Sequence, residues 1–312
     1  MSFATSNRTS ISYCEETVTF GVADTSPVFQ LLRYTGETVN HSISNIVSDE
    51  IRADRATSDL VQVDATNGGD VSFEMSAAAF DDLIEAAMCG TWTTDTVKNG
   101  TALRSFTVQK YLADADTPTY FNFYGNRVGT LSLSFDTGAI LTGSIGFLGT
   151  TSSASESGLA GQTELPVPTK DVMNSVGNIV EIKIDGSDVS NTIFFNSLSM
   201  NLDNGLRSQM AIGKLGPAGI ALSRLTVGGS ISLYFADKAE YEKYVAGTAL
   251  SLSFKVEDAA GNSYDFIFPK IKFQAANITS TGLDTDVFME AEWTAIYDET
   301  ATCMIQIDRV TV

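Results

Sequence analysis

Alternating and helical hydrophobic patterns meet in one stretch, residues 68–87, which opens with a pair of glycines. Val71, Phe73 and Met75 alternate with polar residues, and this period of two predicts a strand with one buried face. Four apolar residues then follow at the spacing i, i+3, i+4 and i+7: Phe80, Leu83, Ile84 and Ala87. This spacing places them on one side of a helix. The stretch therefore predicts a strand followed by a short amphipathic helix that packs against a sheet.

The same pattern returns in residues 228–247, which also open with a pair of glycines. Three apolar residues alternate with polar ones, and three more follow at helical spacing: Ile231, Leu233, Phe235, Tyr241, Tyr244 and Val245. Asp237 stands at the predicted N-cap with Glu240 three residues later, a capping-box pattern, and Gly247 is placed to end the helix. We infer that the chain contains one fold written twice.

Other alternating or apolar runs, bounded by Gly, Asn, Asp and Pro, predict strands in both halves. In the first half they cover residues 29–34, 43–52, 106–108, 120–124, 131–135 and 139–147. In the second half they cover residues 179–184, 194–202, 250–256, 264–268, 271–273, 287–293 and 304–312. The strict alternation on both sides of the turn at 258–262 predicts a β-hairpin.

The segments between these strands differ in composition. Residues 2–16 are polar and are expected to form no more than an ordered arm. Residues 48–67 carry charges without a helical stripe and predict a long hairpin arm. The nearly uncharged segment 204–221 occupies the same place in the second half. Residues 151–171 are rich in Ser, Thr, Gly and Pro, a composition typical of a linker.

Together these patterns predict a mainly β fold. We expect two tandem β-sandwich or half-barrel domains, residues 1–150 and residues 172–312, joined by a linker at residues 151–171. One short α-helix flanks each domain. Long antiparallel strands of this kind leave exposed edges, which are a hazard unless another chain covers them.

Composition and charge narrow the classes of function. Of the 312 residues, 43% are hydrophobic, which suffices for a packed core, and the net charge is −19. Binding to nucleic acid by counter-ion release needs a surface of Lys and Arg, so this mode is not expected. An acidic surface promotes solubility and repels phosphate.

The cysteines and the N-terminal residues suggest a reducing environment. Cys14, Cys89 and Cys303 lie far apart and form no C-x-x-C motif, which indicates buried, reduced thiols. The first residues lack a basic stretch followed by an apolar core, and no apolar run is long enough to cross a membrane. We therefore expect neither a signal peptide nor a membrane anchor.

Residues for the common catalytic and metal sites are sparse. His41 is the only histidine, which argues against Ser-His-Asp and Cys-His catalysis and against zinc sites of the Cys/His kind. Asp284, Asp286 and Glu290 lack the glycine and the spacing of an EF-hand loop. We expect a protein that is not an enzyme and that binds no cofactor or metal.

One motif suggests an enzyme. Residues 135–139, Phe-Asp-Thr-Gly-Ala, resemble the active-site loop of aspartic proteases. That mechanism needs two carboxylates that share a proton, one from each half. The second half offers Asp284-Thr285-Asp286, in which an acid replaces the glycine, and Asp136 lies near the end of its half. A β-turn between two strands explains residues 135–139 better.

Three stretches give the chain a resemblance to the tail tube proteins of long-tailed, siphovirus-like bacteriophages, of the two-domain type. They are the early strand with its charged arm at residues 31–63, the glycine–strand–helix block at residues 68–87, and the run FNFYGNRVGTLSLSF at residues 121–135. The resemblance covers nearly all of the first half and, more loosely, the second. It implies β-sandwich domains flanked by a helix, and trimers of two-domain chains that form pseudo-hexameric rings stacked into a tube.

The resemblance also implies a role and partners. The chain would be a structural virion protein of the tail, assembled in the host cytoplasm, whose channel lets DNA pass without specific binding. Its partners would be further copies of itself, the tape measure protein, and tail completion or tip proteins. The alternative is a β-sandwich protein for adhesion or carbohydrate binding, against which stand the missing secretion signal and the presence of only two tryptophans.

Two sets of candidate site residues follow. The resemblance implies that the arm contacts a neighbouring subunit or ring, and its charged residues are candidates for that contact: Asp49, Glu50, Arg52, Asp54, Arg55 and Asp59. Acidic residues beside the predicted strands are candidates for the channel wall, where they would repel phosphate: Asp114, Asp116, Asp136, Asp258 and Asp265.

Overall fold

Strands begin close to the N-terminus and continue almost to the last residue. The computed structural model describes residues 3–236, 238–280 and 282–312. A 3₁₀ turn at Ser6–Arg8 precedes the first strand. The elements of the first half are β1 (Thr9–Glu15), β2 (Val28–Leu31), β3 (Gly36–Glu37), β4 (Asn40–Val47), β5 (Leu60–Glu74), α1 (Asp81–Met88), β6 (Thr96–Lys98), β7 (Phe106–Leu112), β8 (Thr119–Asp136), β9 (Thr142–Gly149), β10 (Thr151–Ser155) and β11 (Thr163–Leu165).

The second half is built from a similar series. Its elements are β12 (Ile179–Ile184), β13 (Ser187–Asp188), β14 (Phe195–Asp203), β15 (Arg207–Gln209), β16 (Gly219–Ala221), β17 (Thr226–Tyr234), α2 (Ala239–Val245), β18 (Leu250–Glu257), β19 (Ser263–Thr279), β20 (Phe288–Ala295) and β21 (Gln306–Val310). Asp237, the predicted N-cap of α2, lies outside the described residues. Gly247 follows the helix with a φ of 61°, as the C-terminal glycine signal predicts. The mainly β fold with two short helices is confirmed.

Antiparallel pairing joins strands of both halves into one long sheet. Across this sheet lie, in order, β4, β5, β9, β8, β14, β17, β20 and β19. The halves meet at the pair β8–β14, where Asp136 lies opposite Ser197 and Thr130 lies opposite Asp203. The first part of β8 continues into β7, β1 and β2. The first part of β19 continues into β18 and β12 in the same way.

The pairing pattern of the first half recurs in the second. Strand β5 pairs with β9 as β17 pairs with β20, and each helix follows the strand that carries the glycine pair. A bulge interrupts the pairing of the long strand in both halves. It lies between Val128 and Thr130 in β8 and between Phe273 and Ala275 in β19. Bulges are specific features of a strand, so their matching positions are informative about how the halves correspond.

The apolar sides of the strands form one core that extends through both halves. Strand β18 alternates fully, with Leu250, Leu252, Phe254 and Val256 buried. The ring of Phe254 meets that of Phe135 from the first half, with 4.9 Å between centroids. The core therefore packs the two halves against each other, in addition to the pairing of β8 with β14.

Two pairs of predicted strands are each a single strand. Residues 120–124 and 131–135 both belong to β8, and residues 264–268 and 271–273 both belong to β19. Gly125 takes a φ of 67°, and the bulge at Gly129 shifts the register. These glycines interrupt the alternation of β8 without ending the strand. In β19 the interruption is Pro269 and Lys270, which stand between the two predicted strands.

Two polar segments that suggested irregular chain contain strands. Within residues 2–16, β1 pairs along its whole length with β7, and Ile11 is fully buried. The prediction that residues 2–16 form no more than an ordered arm is therefore wrong for residues 9–15. Within residues 151–171, β10 pairs with β8 and β11 pairs in parallel with β2. The short runs of Ser and Thr in both segments hide the alternation that would reveal a strand.

The two helices differ in burial. Helix α1 is buried on more than its predicted stripe, because Glu85, Ala86 and Met88 are buried too. The Glu85 carboxylate accepts a hydrogen bond from the Trp92 backbone N–H at 2.8 Å and pairs with Arg104 at 2.8 Å. The loop that follows thus covers the outer side of α1. Helix α2 contains no buried residue and packs partly through Tyr241 and Tyr244.

Candidate functional site: two open edges and a polar face

One end of the long sheet is formed by β3 and β4. In the part of the chain that the structure describes, both strands pair with β5 and with no other strand. The opposite edge of β4 therefore pairs with no described strand, although side chains already bond part of its start. The Val39 N–H donates to the Glu37 carboxylate, and the Val39 carbonyl accepts a hydrogen bond from Lys110. The His41 N–H donates to the Asn40 side chain. Such an edge is a template for pairing with a further chain.

The other end of the sheet is formed by the second part of β19. Residues 271–279 pair with β20 on one side. On the opposite side, β18 pairs with β19 only from Ser263 to Ile271, because Leu250, the first residue of β18, lies opposite Ile271. Among the described residues, no strand pairs with positions 272–279 on that side. The sheet therefore has an open edge at each end, and one edge belongs to each half.

The side of this sheet that points away from the core is polar. Small hydroxyl and amide side chains alternate there with the buried residues, and cross-strand pairing aligns them in rows. One row runs from Ser72 through Ser144, Ser132 and Asn201. The hydroxyls of Ser199 and Ser230 bond each other across the next strand pair at 2.8 Å. Short side chains leave this surface shallow and even.

Apart from Lys272 at one end, the charged residues on this polar face within the paired strands are acidic. Residues 70–74, 130–136, 142–148, 197–203, 226–234, 275–279 and 288–294 contain no lysine or arginine. The carboxylates are Asp70, Glu74, Asp136, Asp203, Glu290 and Glu292. Lys272 lies beside Thr294 at the border of the face. A surface of this sign repels phosphate groups.

A comparison with protein-family models matches residues 6–295 to the phage tail tube protein family. The match spans most of the chain and includes both open edges. The chain belongs to the phage tail tube protein family. A comparison with curated proteins found no match. The protein is thus a structural component of the phage tail.

The residues proposed from the sequence for the tube channel are not brought together. Asp136 lies on the polar face at the end of β8 and accepts a hydrogen bond from Ser134 at 2.9 Å. Asp114 and Asp116 lie in the turn between β7 and β8. The Thr5 hydroxyl donates to Asp114 at 2.5 Å.

The other two channel candidates also lie away from the polar face. Asp258 caps the turn between β18 and β19, where it accepts a hydrogen bond from the Asn262 amide at 2.7 Å. Asp265 is half-buried on β19 opposite Lys255 and Asp308. Burial, and then the negative charge of Asp308, raise the pKa of Asp265.

Five carboxylates of the polar face were not among the channel candidates predicted from the sequence: Asp70, Glu74, Asp203, Glu290 and Glu292. The signal was present, because each occupies a polar position within an alternating strand. What the sequence could not supply was the pairing order that aligns these strands on one face.

The arm of the tail tube protein is the hairpin of β4 with the first part of β5. Pairing runs from Asn40 opposite Gly68 to Val47 opposite Leu60. All six charged residues proposed for the arm lie together in the exposed loop 48–59. Arg52 forms a two-point ion pair with Asp54, at 3.0 and 2.8 Å, which lowers the pKa of that carboxyl.

The arm also exposes apolar side chains on both of its faces, because the successive pairs Ile46–Val61 and Val47–Leu60 point to opposite sides. Their exposed fractions range from 41% for Ile43 to 99% for Ile51. The group is Ile43, Ile46, Val47, Ile51, Leu60, Val61 and Val63. Exposed apolar groups of this kind mark contact surfaces. The second hairpin, β15–β16, folds instead onto the first half, where the Arg127 guanidinium donates to the Ile220 carbonyl.

Thiols, metal ligands and membrane spans add little to the site. Cys14, Cys89 and Cys303 are free and buried, as predicted, and burial with the nearby Glu16 charge raises the pKa of Cys14 to about 12. Within the described ranges, no cluster of three or more His, Cys, Asp or Glu side chains is placed to hold a metal ion. Neither described helix has the length and apolar character needed to cross a membrane.

Proposed function

We propose that three copies of this tail tube protein close into a ring, and that stacked rings form the tube through which DNA passes. The observation that carries the proposal is the pair of open edges, one at each end of a sheet that already joins two similar halves. Joining the edge of one chain to the opposite edge of the next continues the sheet, and closure removes both edges.

In this proposal each chain supplies two equivalent units, residues 1–150 and residues 172–312, with 151–171 between them. The recurring strand pairings and the matching bulges of β8 and β19 support this duplication. Three chains then give a ring with six similar units, which is a pseudo-hexamer. Residues 151–171 remain a connection between units, although they add β10 and β11 to the first one.

The polar face would line the channel. Its six carboxylates per chain, with no basic residue in the same strand stretches, would repel DNA phosphates and let DNA slide without binding. Small Ser, Thr and Asn side chains would leave the wall smooth. The core and the helices then lie on the outside of the sheet.

The arm would link successive rings or neighbouring subunits. Its exposed apolar group and its charged loop support this role. We further propose that the tube forms in the host cytoplasm, around the tape measure protein, and ends on tail completion or tip proteins.

Mass photometry and negative-stain electron microscopy of the purified chain test the proposal. We expect particles of three times the chain mass of 33.3 kDa, with a six-fold outline and a central hole, and tubes built from them. Rings of six chains would contradict the duplication. A chain that stays monomeric at every concentration and binds glycans on an array would favour an adhesion protein instead.

A further inference from the structure

The seam between β8 and β14 joins the halves within one chain and is a template for a seam between chains. Its strands run antiparallel, with Asn201 opposite Ser132 and Met200 opposite Leu133. On the core side of the seam, Met200 and Leu133 are exposed to only 1% and 4%.

One open edge corresponds to β14. Asn201 lies opposite Gly228 in the pair β14–β17, and Asn40 lies opposite Gly68 in the pair β4–β5. Both glycines open the repeated glycine pair. Asn40 therefore holds in the first half the position that Asn201 holds in the second, and the residue before it, Val39, corresponds to Met200.

The other open edge corresponds to β8. After the bulge, Leu131 lies opposite Ile145 in the pair β8–β9, and Ala276 lies opposite Ala291 in the pair β19–β20. Ile145 pairs in turn with Val71 of β5, and Ala291 pairs with Ile231 of β17. Val71 and Ile231 each lie three residues after the first glycine of the repeated pair, so Ala276 corresponds to Leu131. Counting two residues further, Ile278 corresponds to Leu133.

We propose that the seam between chains repeats the register of the seam within the chain. Residues 38–42 of one chain, at the start of β4, then pair antiparallel with residues 275–279 of the next. Asn40 lies opposite Asn277, Val39 opposite Ile278 and His41 opposite Ala276. The proposal rests on the ring described above and specifies which backbone and side-chain groups close it.

Two features of the free edges fit this register. Ile278 is 44% exposed, whereas Leu133, its counterpart at the closed seam, is 4% exposed. Pairing of Ile278 with Val39 would bury Ile278 in the same way. Val39 is itself buried, and its N–H and C=O would exchange their bonds with the Glu37 and Lys110 side chains for bonds to the next chain. In addition, the His41 Nδ1 atom is buried and has no hydrogen-bond partner among the described residues. It lies at the edge where the next chain would arrive.

The bulge adds a further expected contact. In the seam within the chain, the Asn204 backbone N–H donates to the Gly129 carbonyl at the bulge, at 2.8 Å. Gln274 holds the bulge position in β19. Ile43 follows Ser42 within β4 as Asn204 follows Asp203, so Ile43 corresponds to Asn204. The Ile43 backbone N–H is therefore expected to donate to the Gln274 carbonyl of the next chain.

Disulfide cross-linking tests the register. Directly opposite residues of antiparallel strands lie about 4.5–5.5 Å apart between Cα atoms, within disulfide range. The natural cysteines are buried, so they interfere little. In Asn40→Cys/Asn277→Cys we expect oxidised rings to give two-chain and three-chain bands on a non-reducing gel. The matched pair Ser132→Cys/Asn201→Cys should give a disulfide within one chain and no such bands.

A cysteine pair displaced by two residues shows whether the cross-linking distinguishes one register from another. Asn40→Cys/Thr279→Cys lies on the same face two residues out of register, about 7–8 Å apart, and should cross-link at most one tenth as much. Stronger cross-linking of the displaced pair, in rings of three chains seen by electron microscopy, would overturn the register and leave the ring standing. If the unmodified chain forms no rings, the proposed function and the register fail together.

A charge pair provides a second measurement, should the cysteine variants not assemble. Asn40→Asp/Asn277→Asp should prevent ring formation through repulsion across the seam, and Asn40→Lys/Asn277→Asp should restore it. Equal assembly of both variants would contradict the register.

Discussion

The Tyr264 hydroxyl ties the two halves together, and its removal should lower stability by a measurable amount. Tyr264 lies on β19 and is 2% exposed. Its hydroxyl accepts a hydrogen bond from the Ala78 backbone N–H at 2.9 Å and donates to Asp81 at the start of α1. Arg309 of β21 donates to the other oxygen of Asp81 at 2.6 Å. Burial and the Asp81 charge raise the pKa of Tyr264, so the hydroxyl remains a donor.

The substitution Tyr264→Phe removes this hydroxyl and retains the ring. A hydrogen bond to a charged group contributes about 1.5–3 kcal/mol and a neutral one about 1 kcal/mol. Asp81 keeps its ion pair with Arg309, and Ala78 is exposed to water. We therefore expect the free energy of unfolding to fall by about 2 kcal/mol, toward the lower end of that range.

Urea unfolding of the unassembled chain measures this loss. Tyr297→Phe is the matched control, because Tyr297 is 49% exposed, and its effect should stay within about 0.5 kcal/mol. A loss below about 0.5 kcal/mol for Tyr264→Phe would refute the reasoning that this contact stabilises the junction. A smaller m-value in the variant would show that the halves no longer unfold together.

Three further predictions concern assembly and pH. Ile278→Glu should abolish rings without changing the unfolding of the monomer, because a charge at the closed seam would be desolvated. Light scattering after gel filtration measures the ring fraction. The control Val245→Glu on α2, where Val245 is 67% exposed, should leave rings intact. Arg52→Glu/Arg55→Glu should block tube growth, because it replaces the two positive charges of the arm loop with negative ones, and the circular dichroism spectrum should stay unchanged. Tubes of normal length in electron micrographs would show that these residues do not take part in the contact. Asp265→Asn should raise the melting temperature at pH 7, because the folded chain otherwise ionises a carboxyl whose pKa is raised by burial and by Asp308. That gain should disappear as the pH falls through the raised pKa toward the unfolded value of about 3.9, where the native carboxyl is protonated, and a gain that grew on acidification would contradict the assignment.

Hydrophobic periodicity predicted most elements of the fold. The glycine–strand–helix unit, the hairpin around residues 258–262 and the arm are present where the patterns put them. The strands of the glycine–strand–helix unit and of the hairpin have one buried and one exposed face, so their apolar and polar residues alternate. The arm is exposed on both faces, and its charges indicated it. Strand β1 and the strands of residues 151–171 lack such alternation, since Ser and Thr occupy both their buried and their exposed positions.

The candidate site was less predictable, because it depends on which strands are neighbours. The six arm residues are contiguous in sequence and fall in one loop. The polar face consists of alternate residues from seven strand stretches. Its carboxylates could therefore be grouped only once the order of strand pairing was known. Asp265 shows the difficulty: it stands in an alternating strand, yet Lys255 and Asp308 flank it across the sheet.

A helical reconstruction of the tube by cryo-electron microscopy would show which strands join neighbouring chains and which face lines the lumen. We expect three chains in each ring, with β4 of one chain paired to β19 of the next and with Asp70, Asp203 and Glu292 facing the lumen. A ring whose lumen is lined by other strands, or whose neighbouring chains leave β4 and β19 unpaired, would contradict the account.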